Sequence, residues 1–344
     1  MKKNILVTGG LGFIGSNFIQ YMNERYQDYN IINVDSITYA ADEKNLDDLI
    51  HLENYEFVKG DIRDKDIVQR IFKQHNITDV IHFAAESHVD NSIKNPSIFA
   101  ETNVIGTLNL LESARGFWMD TPFNYKEQFK SSRFHHVSTD EVYGTLGDTG
   151  FFTEQTPYAP NSPYSASKAA SDMLVRSYFH TYGLNVVTTN CSNNYGPKQH
   201  DEKLIPTLIR NALRGNILPI YGNGKNVRDW LYVMDHCAGI EAVFHDGKAG
   251  ETYLIGGHNE KTNIDIAYII CDYLDQCVPK EKSYRQQIQF VEDRHGHDFR
   301  YAIDSNKIQS ELNWQPQETF ATGIVKTIDW YIVKYFKGGL KNEE

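Results

Sequence analysis

Residues 8–15 read Thr8-Gly9-Gly10-Leu11-Gly12-Phe13-Ile14-Gly15. The preceding Asn4–Thr8 is a short β-forming run, and Gly12–Tyr26 carries a helical pattern. Gly10, Gly12 and Gly15 fit GxGxxG, while Gly9, Gly12 and Gly15 fit GxxGxxG. Glycines at these spacings let the backbone turn tightly and approach a pyrophosphate, whose charge the helix N-terminal amides can bind. Glycine-rich turns are common, so the motif gains its force from lying between a strand and a helix. In that setting it predicts a dinucleotide-binding unit.

Working outward, further short apolar runs occur at Asn30–Val34, Tyr55–Lys59, Asp79–Ala84, Arg133–Ser138 and Asn185–Asn190. Several are nearly continuous Val/Ile/Phe, as suits parallel strands buried on both faces. Helical patterns lie between them at Lys65–His75, Ile98–Ala114 and Ser165–Tyr182. The alternation predicts an α/β fold, a modified Rossmann doubly wound parallel sheet. After about Asn190, Pro and Gly interrupt the chain and the signals shorten. The expected division is therefore a dinucleotide-binding domain over 1–190 and a smaller mixed α/β substrate domain over 191–344. The region near 228–255 is expected to return to the first domain.

Composition narrows the function. The 344 residues are 40% hydrophobic and 23% charged, as in ordinary globular proteins. A net charge of -11, from 34 basic and 45 acidic residues, argues against general nucleic-acid binding. No apolar run approaches membrane-spanning length, and the apolar stretch near the N-terminus is too short for a signal-peptide core. Cys191, Cys237, Cys271 and Cys277 form no CxxC pair and no zinc spacing. The expectation is a cytoplasmic protein with reduced thiols, no membrane partner and no metal.

Asp35 ends the second run, twenty residues beyond Gly15, where a carboxylate can accept hydrogen bonds from the adenosine ribose. It would repel a 2′-phosphate, so the expected cofactor is NAD. Asp61-Ile62 follows the third run, near the adenine. Ala84-Ala85-Glu86 follows the fourth, at the sheet edge where ligands bind.

Two further motifs point to chemistry. Tyr164-Ser165-Ala166-Ser167-Lys168 sets Tyr164 and Lys168 on one helix face. The ammonium is expected to lower the phenol's proton affinity, making a base that can take a sugar hydroxyl proton as hydride leaves. Upstream, Thr139-Asp140-Glu141 ends the fifth run, facing the ligand crevice. Adjacent carboxylates push their proton affinities apart, giving one acid and one base. Thr139 adds a hydroxyl able to hold the reacting sugar oxygen. His82, within an apolar run, reads as a core histidine, and His135 and His136 read as structural. His88 lies nearer the crevice.

TGGLGFIG, YSASK and STDEVYG together resemble the extended short-chain dehydrogenase/reductase family, and within it the nucleotide-sugar 4,6-dehydratases. HFAAESHVDNS (82–92), ETNVIGT (101–107), SNNYGP (192–197), EKLIP (202–206), LPIYGNGKNVRDWLYVMDH (218–236) and IGGHNEKTNID (255–265) extend the resemblance along nearly the whole chain. It implies NAD contacts from Gly9, Gly12, Phe13, Ile14, Gly15, Asp35, Thr38, Asp61, Ile62, Ala84, Ala85, Glu86, Thr102, Tyr164, Lys168 and Asn194. For the nucleotide sugar it implies Ser87, Thr139, Asn193, Lys203, Leu204, Arg228 and Asn263, with Pro219 and Tyr221 along the base. Lys203 and Arg228 have the charge to neutralise a diphosphate. Residues 293–301 resemble the family's DRPGHDRRY, except that His295 replaces proline and Phe299 replaces arginine. Arg294 and His297 remain as phosphate contacts.

The resemblance implies dTDP-glucose as substrate, Asp140 as acid, Glu141 as base, Tyr164 and Lys168 as the oxidising pair, and a homodimer. Related epimerases place small hydroxyl or apolar residues where Asp140 and Glu141 stand. Expelling a hydroxyl requires an acid and a base, so retention of both argues for dehydration. A 4-epimerase or decarboxylase on the same fold, and a non-catalytic NAD-binding regulator, remain as alternatives.

Overall fold

The structure, a computed structural model, describes residues 3–293 and 297–337. The strands are β1 (Asn4–Thr8), β2 (Asn30–Asp35), β3 (Tyr55–Lys59), β4 (Asp79–His82), β5 (Phe134–Thr139), β6 (Val186–Cys191) and β7 (Thr252–Ile255). They form one parallel sheet in the order β7-β6-β5-β4-β1-β2-β3. Every residue of β4, β5 and β6 is buried, polar ones such as His135, His136 and Asn190 included, as in a sheet covered on both faces. The order reverses between β1 and β4, the switch point at which such sheets bind ligands beyond their C-terminal edges.

Hydrophobic clusters cover both faces. Phe18, Ile19, Leu231, Ile240 and Tyr253 belong to one; Leu6, Val80, Leu110, Trp118 and Val175 belong to the other. Helix α1 (Phe13–Arg25) follows the glycine turn, and α2 (Lys65–Gln74) starts at Asp64, whose carboxylate accepts from the Asp66 and Ile67 amides.

The helical pattern over 98–114 does not form one uniform helix. Pro96–Phe99 is α-helical, Ala100–Gly106 is a π-helix, and α3 (Thr107–Trp118) continues beyond it. Such a segment adds a residue per turn and re-aims side chains, commonly near functional sites. Here it turns the buried Asn103 toward Glu86, whose amide it accepts and whose carbonyl it contacts at 2.8 and 3.0 Å. Its amide also reaches Ser167 Oγ at 2.8 Å.

Helix α4 (Pro163–Tyr182) begins two residues before the predicted start. Ser162 and Ser165 form a reciprocal cap, Pro163 occupies the first turn, and Gly183 closes the helix at φ 71°. Beyond β6 the chain builds small sheets. Val227–Tyr232 pairs in parallel with Asn193–Tyr195 and antiparallel with Glu260–Thr262. A third core, including Tyr195, Leu208, Ile270 and Tyr331, lies among these later elements. The helix Val233–Asp246 packs on α1, and β7 then joins the large sheet beside β6. Among the described residues, no helix is long and apolar enough to cross a membrane.

Candidate active site

A cavity of about 320 Å³ opens along the C-terminal edges of β1, β2, β4, β5 and β6. At one end stand Gly9, Gly12, Phe13, Ile14 and Gly15 from the glycine turn. The turn is tightly built: Gly9 has φ 72°, and a Cβ there would lie 2.7 Å from Ala84 Cα. A Cβ on Gly15 would lie 2.3 Å from Gly9 O. At Gly12 the nearest atom is Gly9 O at 3.3 Å, so only a missing side chain keeps this backbone open to the cavity.

Asp35 follows at the end of β2. Its carboxylate accepts from the Leu11 amide at 3.1 Å and the Ile37 amide at 2.9 Å. Burial pushes its proton affinity up, and the backbone amides pull it back. Thr38, Asp61, Ile62, Ala84, Ala85, Glu86, Thr102 and Asn194 also line the cavity. Asp61 is held by Arg63 at 2.6 Å, which keeps its carboxyl below the usual range. The glycine cradle, the helix N-terminus and the Asp35 carboxylate fit NAD, with pyrophosphate over the turn and ribose at β2.

The other end contains the reactive side chains. Thr139, Asp140, Glu141, Tyr164 and Lys168 all line the same cavity, together with Ser87, Asn193 and Lys203. Thr139 is the last residue of β5 and caps the 3-10 turn Asp140–Tyr143 by accepting the Glu141 amide at 3.3 Å. Gly144, at φ 84°, closes that turn. Asp140 is 2% exposed, and its Oδ2 has no hydrogen-bond partner among the described residues. Burial, then Glu141 and Asp229, push its carboxyl well above the usual range, with Arg228 opposing. The two carboxylates have unlike surroundings, Asp140 buried and Glu141 half-buried, and it is at Asp140 that burial favours the protonated form.

Tyr164 sits in the first turn of α4, its ring edge-on to Phe99 at 6.3 Å between centroids. The phenol's proton affinity is raised, by burial first and Glu141 second. That direction is opposite to the one expected from the Tyr-Lys spacing. The reason lies in where the ammonium goes: Lys168 Nζ donates to Val137 O at 2.9 Å. Lys168 is itself buried, which lowers its affinity for the proton, while Asp172 raises it.

The remaining substrate expectations fall elsewhere. Among the described residues, Leu204, Pro219, Tyr221, Arg228, Asn263 and His297 are not part of this cavity's lining. Arg228 is buried, with its guanidinium on the carbonyls of Val227 (2.7 Å), Asp298 (2.8 Å) and Phe299 (3.2 Å) and over the Tyr301 ring. Tyr221 and His297 stand edge to face at 6.5 Å. Leu204 and Asn263 open helices of the later elements. Arg294 and His295 lie outside the described residues.

His82 is fully satisfied in the core, between Thr8 Oγ1 at 2.7 Å and Thr107 Oγ1 at 2.9 Å. His135 contacts Thr189 at 3.1 Å, and His88 caps the short helix Val89–Lys94. Arg63, Cys191, Gln199 and His200, which carry no site role in the sequence, also line the cavity, as do Ser138 and Glu202 from the STDEVYG and EKLIP stretches. Several stand within a few residues of a quoted motif, and that proximity was the available signal. All four cysteines are free thiols.

Residues 6–327 match the family model described as GDP-mannose 4,6 dehydratase. A Shigella flexneri protein named dTDP-glucose 4,6-dehydratase is 56% identical over 337 residues, covering 95% of this chain and 92% of that protein. The structure of a Bacillus anthracis dTDP-glucose 4,6-dehydratase in complex with NAD superposes with a TM-score of 0.84 at 45% identity, covering 98% of this chain and 99% of the other. The Streptomyces venezuelae dTDP-glucose 4,6-dehydratase DesIV, with NAD and TYD bound, gives 0.86 at 46% identity, covering 96% and 97%. A Thermotoga maritima UDP-glucose 4-epimerase gives 0.83 at only 27% identity, covering 96% and 99%, so shape alone does not separate these activities. With the match running through both the glycine turn and the late elements, this chain belongs to the GDP-mannose 4,6 dehydratase family of NAD-dependent nucleotide-sugar enzymes.

Proposed function

We propose that the protein is a dTDP-glucose 4,6-dehydratase, converting dTDP-glucose to dTDP-4-keto-6-deoxyglucose and water. The observation that supports this reading best is the placement of Glu141 with the buried Asp140 and Tyr164 in one cavity. NAD held over the glycine turn supplies the acceptor that takes hydride from sugar C4 and returns it to C6. Tyr164 takes the 4-hydroxyl proton. The α4 N-terminal amides favour the phenolate, and Lys168 adds to them once its ammonium turns from Val137 O toward Tyr164, together offsetting burial and Glu141. Oxidation at C4 acidifies the C5 proton, and Glu141 removes it. Asp140, protonated beforehand, gives its proton to the departing C6 hydroxyl. Glu141 then returns a proton to C5. The proton gained by Tyr164 balances the one lost by Asp140, so a turnover releases water and nothing else.

Thr139 and Asn193 hold the sugar, and Ser87 and Lys203 lie toward the diphosphate. Arg228, Asn263, Pro219, Tyr221, Leu204, Arg294 and His297 form the nucleotide end when the later elements meet the substrate. Residues 1–190 with the returning 228–255 region make the cofactor domain, and the remainder of 191–344 the substrate domain. The enzyme works as a cytoplasmic homodimer through the Ile98–Ala114 and Ser165–Tyr182 regions, and its product feeds deoxysugar synthesis, with dTDP-rhamnose the favoured end point.

Substrate deuterated at C4 tests the hydride path. The label should appear at C6 of the product. Label recovered at C4 of an isomer, or lost from the product to solvent, would exclude internal hydride transfer from C4 to C6.

A further inference from the structure

Behind Tyr164 and Lys168, a third residue of α4 follows at the same spacing. Asp172 is buried and belongs to no role assigned above. Three elements converge on its carboxylate. From β5, His136 Nε2 lies 3.1 Å from Oδ1. From β6, Asn190 Nδ2 donates to Oδ2 at 3.1 Å. From the segment before α4, the Tyr158 hydroxyl donates to Oδ2 at 3.0 Å. Asn190 Nδ2 also donates to the Thr139 carbonyl at 2.9 Å, so Asp172 is linked to the strand end that presents Asp140 and Glu141.

The charges of this wall are few. Lys168 is faced by Asp172 on its own helix, by His82 on β4, by His136 on β5 and by Cys191 on β6. Asp172 is faced by His136 and Ser138 on β5, Asn190 on β6, and Tyr143 and Tyr158 beside the 3-10 turn. Burial drives His136 down to about 4, so it is neutral in the working range and cannot supply a second cation. Cys191 is pushed up by burial and remains a neutral thiol. Asp172, held ionised by its donors, is the anion that offsets Lys168 within the wall. An ammonium buried without such an anion tends to lose its proton.

We propose that Asp172 is a positioning residue for the reaction: it is the buried counter-charge of Lys168 and, through Asn190, the anchor of the Thr139-Asp140-Glu141 strand end. This rests on the reading of Tyr164 and Lys168 as the oxidising pair. Through these two links one carboxylate serves both halves of the reaction, the oxidation at C4 and the elimination across C5 and C6.

The test uses the NAD-loaded enzyme and follows single-turnover formation of bound NADH on mixing with dTDP-glucose, across pH. That step precedes elimination and does not need Asp140. In Asp172→Asn the alkaline limb should move to lower pH by roughly one unit or more, because Lys168 loses the charge that holds its proton. KM for dTDP-glucose should stay within about two-fold while kcat falls, since Asp172 stands behind the cavity wall. Asn190→Ala removes one donor but keeps the Asp172 carboxylate, so it should lower kcat for the full conversion while moving the limb less than Asp172→Asn does. If Asp172→Asn does not fold, Asp172→Ser, smaller and without the amide, is read by the same limb. A limb unmoved in a folded Asp172 variant overturns the inference. Lys168→Met distinguishes this from failure of the underlying reading: full activity there would remove Lys168 from the chemistry, and full inactivity would leave it standing.

Discussion

At the residue scale, Asp140 and Glu141 are neighbours in sequence but not in environment. Asp140 is buried at the start of a 3-10 turn, and Glu141 is partly exposed to the cavity. Asp140's raised proton affinity has a stability consequence with a definite sign. A carboxyl whose folded pKa lies above its unfolded value of about 4 contributes stability at low pH and loses it as pH rises toward the folded value. Asp140→Asn removes that loss. Its Tm should exceed that of wild type by a margin that widens with pH, and calorimetry across the range checks this. Its kcat should nonetheless drop, because an amide cannot deliver the proton. Glu141→Gln should lower kcat by about 10²–10⁴ with KM little changed. If Glu141→Gln turned over like wild type, the base would have to be sought elsewhere.

At the element scale, two short stretches hold the site together, and they differ in how legible they were. The glycine turn was plain in the sequence because its constraint is local: φ at Gly9 and backbone clearance at Gly15 admit no Cβ. Gly15→Ala should cost about 2 kcal/mol or more and release NAD from the purified protein, read by Tm and by absorbance of the bound cofactor. The π-helix Ala100–Gly106 was not legible, since its residues fit the helical period of their surroundings. What selects it is tertiary: Asn103 meeting the Glu86 backbone and Ser167, and Gly106 lying against Ile62, where a Cβ would come within 2.5 Å. Asn103→Ala leaves those buried partners unpaired and should cost about 2–3 kcal/mol, with weaker NAD retention, because the 84–87 loop loses its anchor. Equilibrium denaturation measures the first and dialysis the second.

The same contrast holds for Tyr164. Helix spacing placed it correctly beside Lys168, but its proton affinity depends on Glu141 and on burial, which arrive from β5 and from the closing of the sheet. Sequence spacing has no access to either. The late substrate residues are a further case. Arg228 was expected at a diphosphate from its charge alone; that its guanidinium also rests on the Asp298 and Phe299 carbonyls is a long-range contact that spacing does not show.

At the scale of the whole molecule, the chain leaves the large sheet after β6, builds the small sheets, and returns through Val233–Asp246 to β7. The cavity edge is consequently lined by residues from both before and after Asn190, among them Asn193, Asn194 and Lys203. Ile105 and Met173, 47% and 58% exposed on the π-helix and α4, lie in the two regions proposed to pair copies of the chain. Small-angle scattering should give a dimer, and Met173→Glu should shift it toward monomer, since a buried unpaired charge is costly at such a contact. A monomeric wild type would contradict the proposed assembly without touching the chemistry.

The central claim is that Asp140 and Glu141 make this NAD enzyme expel water. Purified protein mixed with dTDP-glucose and followed by mass spectrometry addresses it directly. The account predicts a product lighter by one water, with no free NADH accumulating. A mass-neutral conversion to an isomer would contradict it, and would make the two carboxylates bystanders in an epimerase.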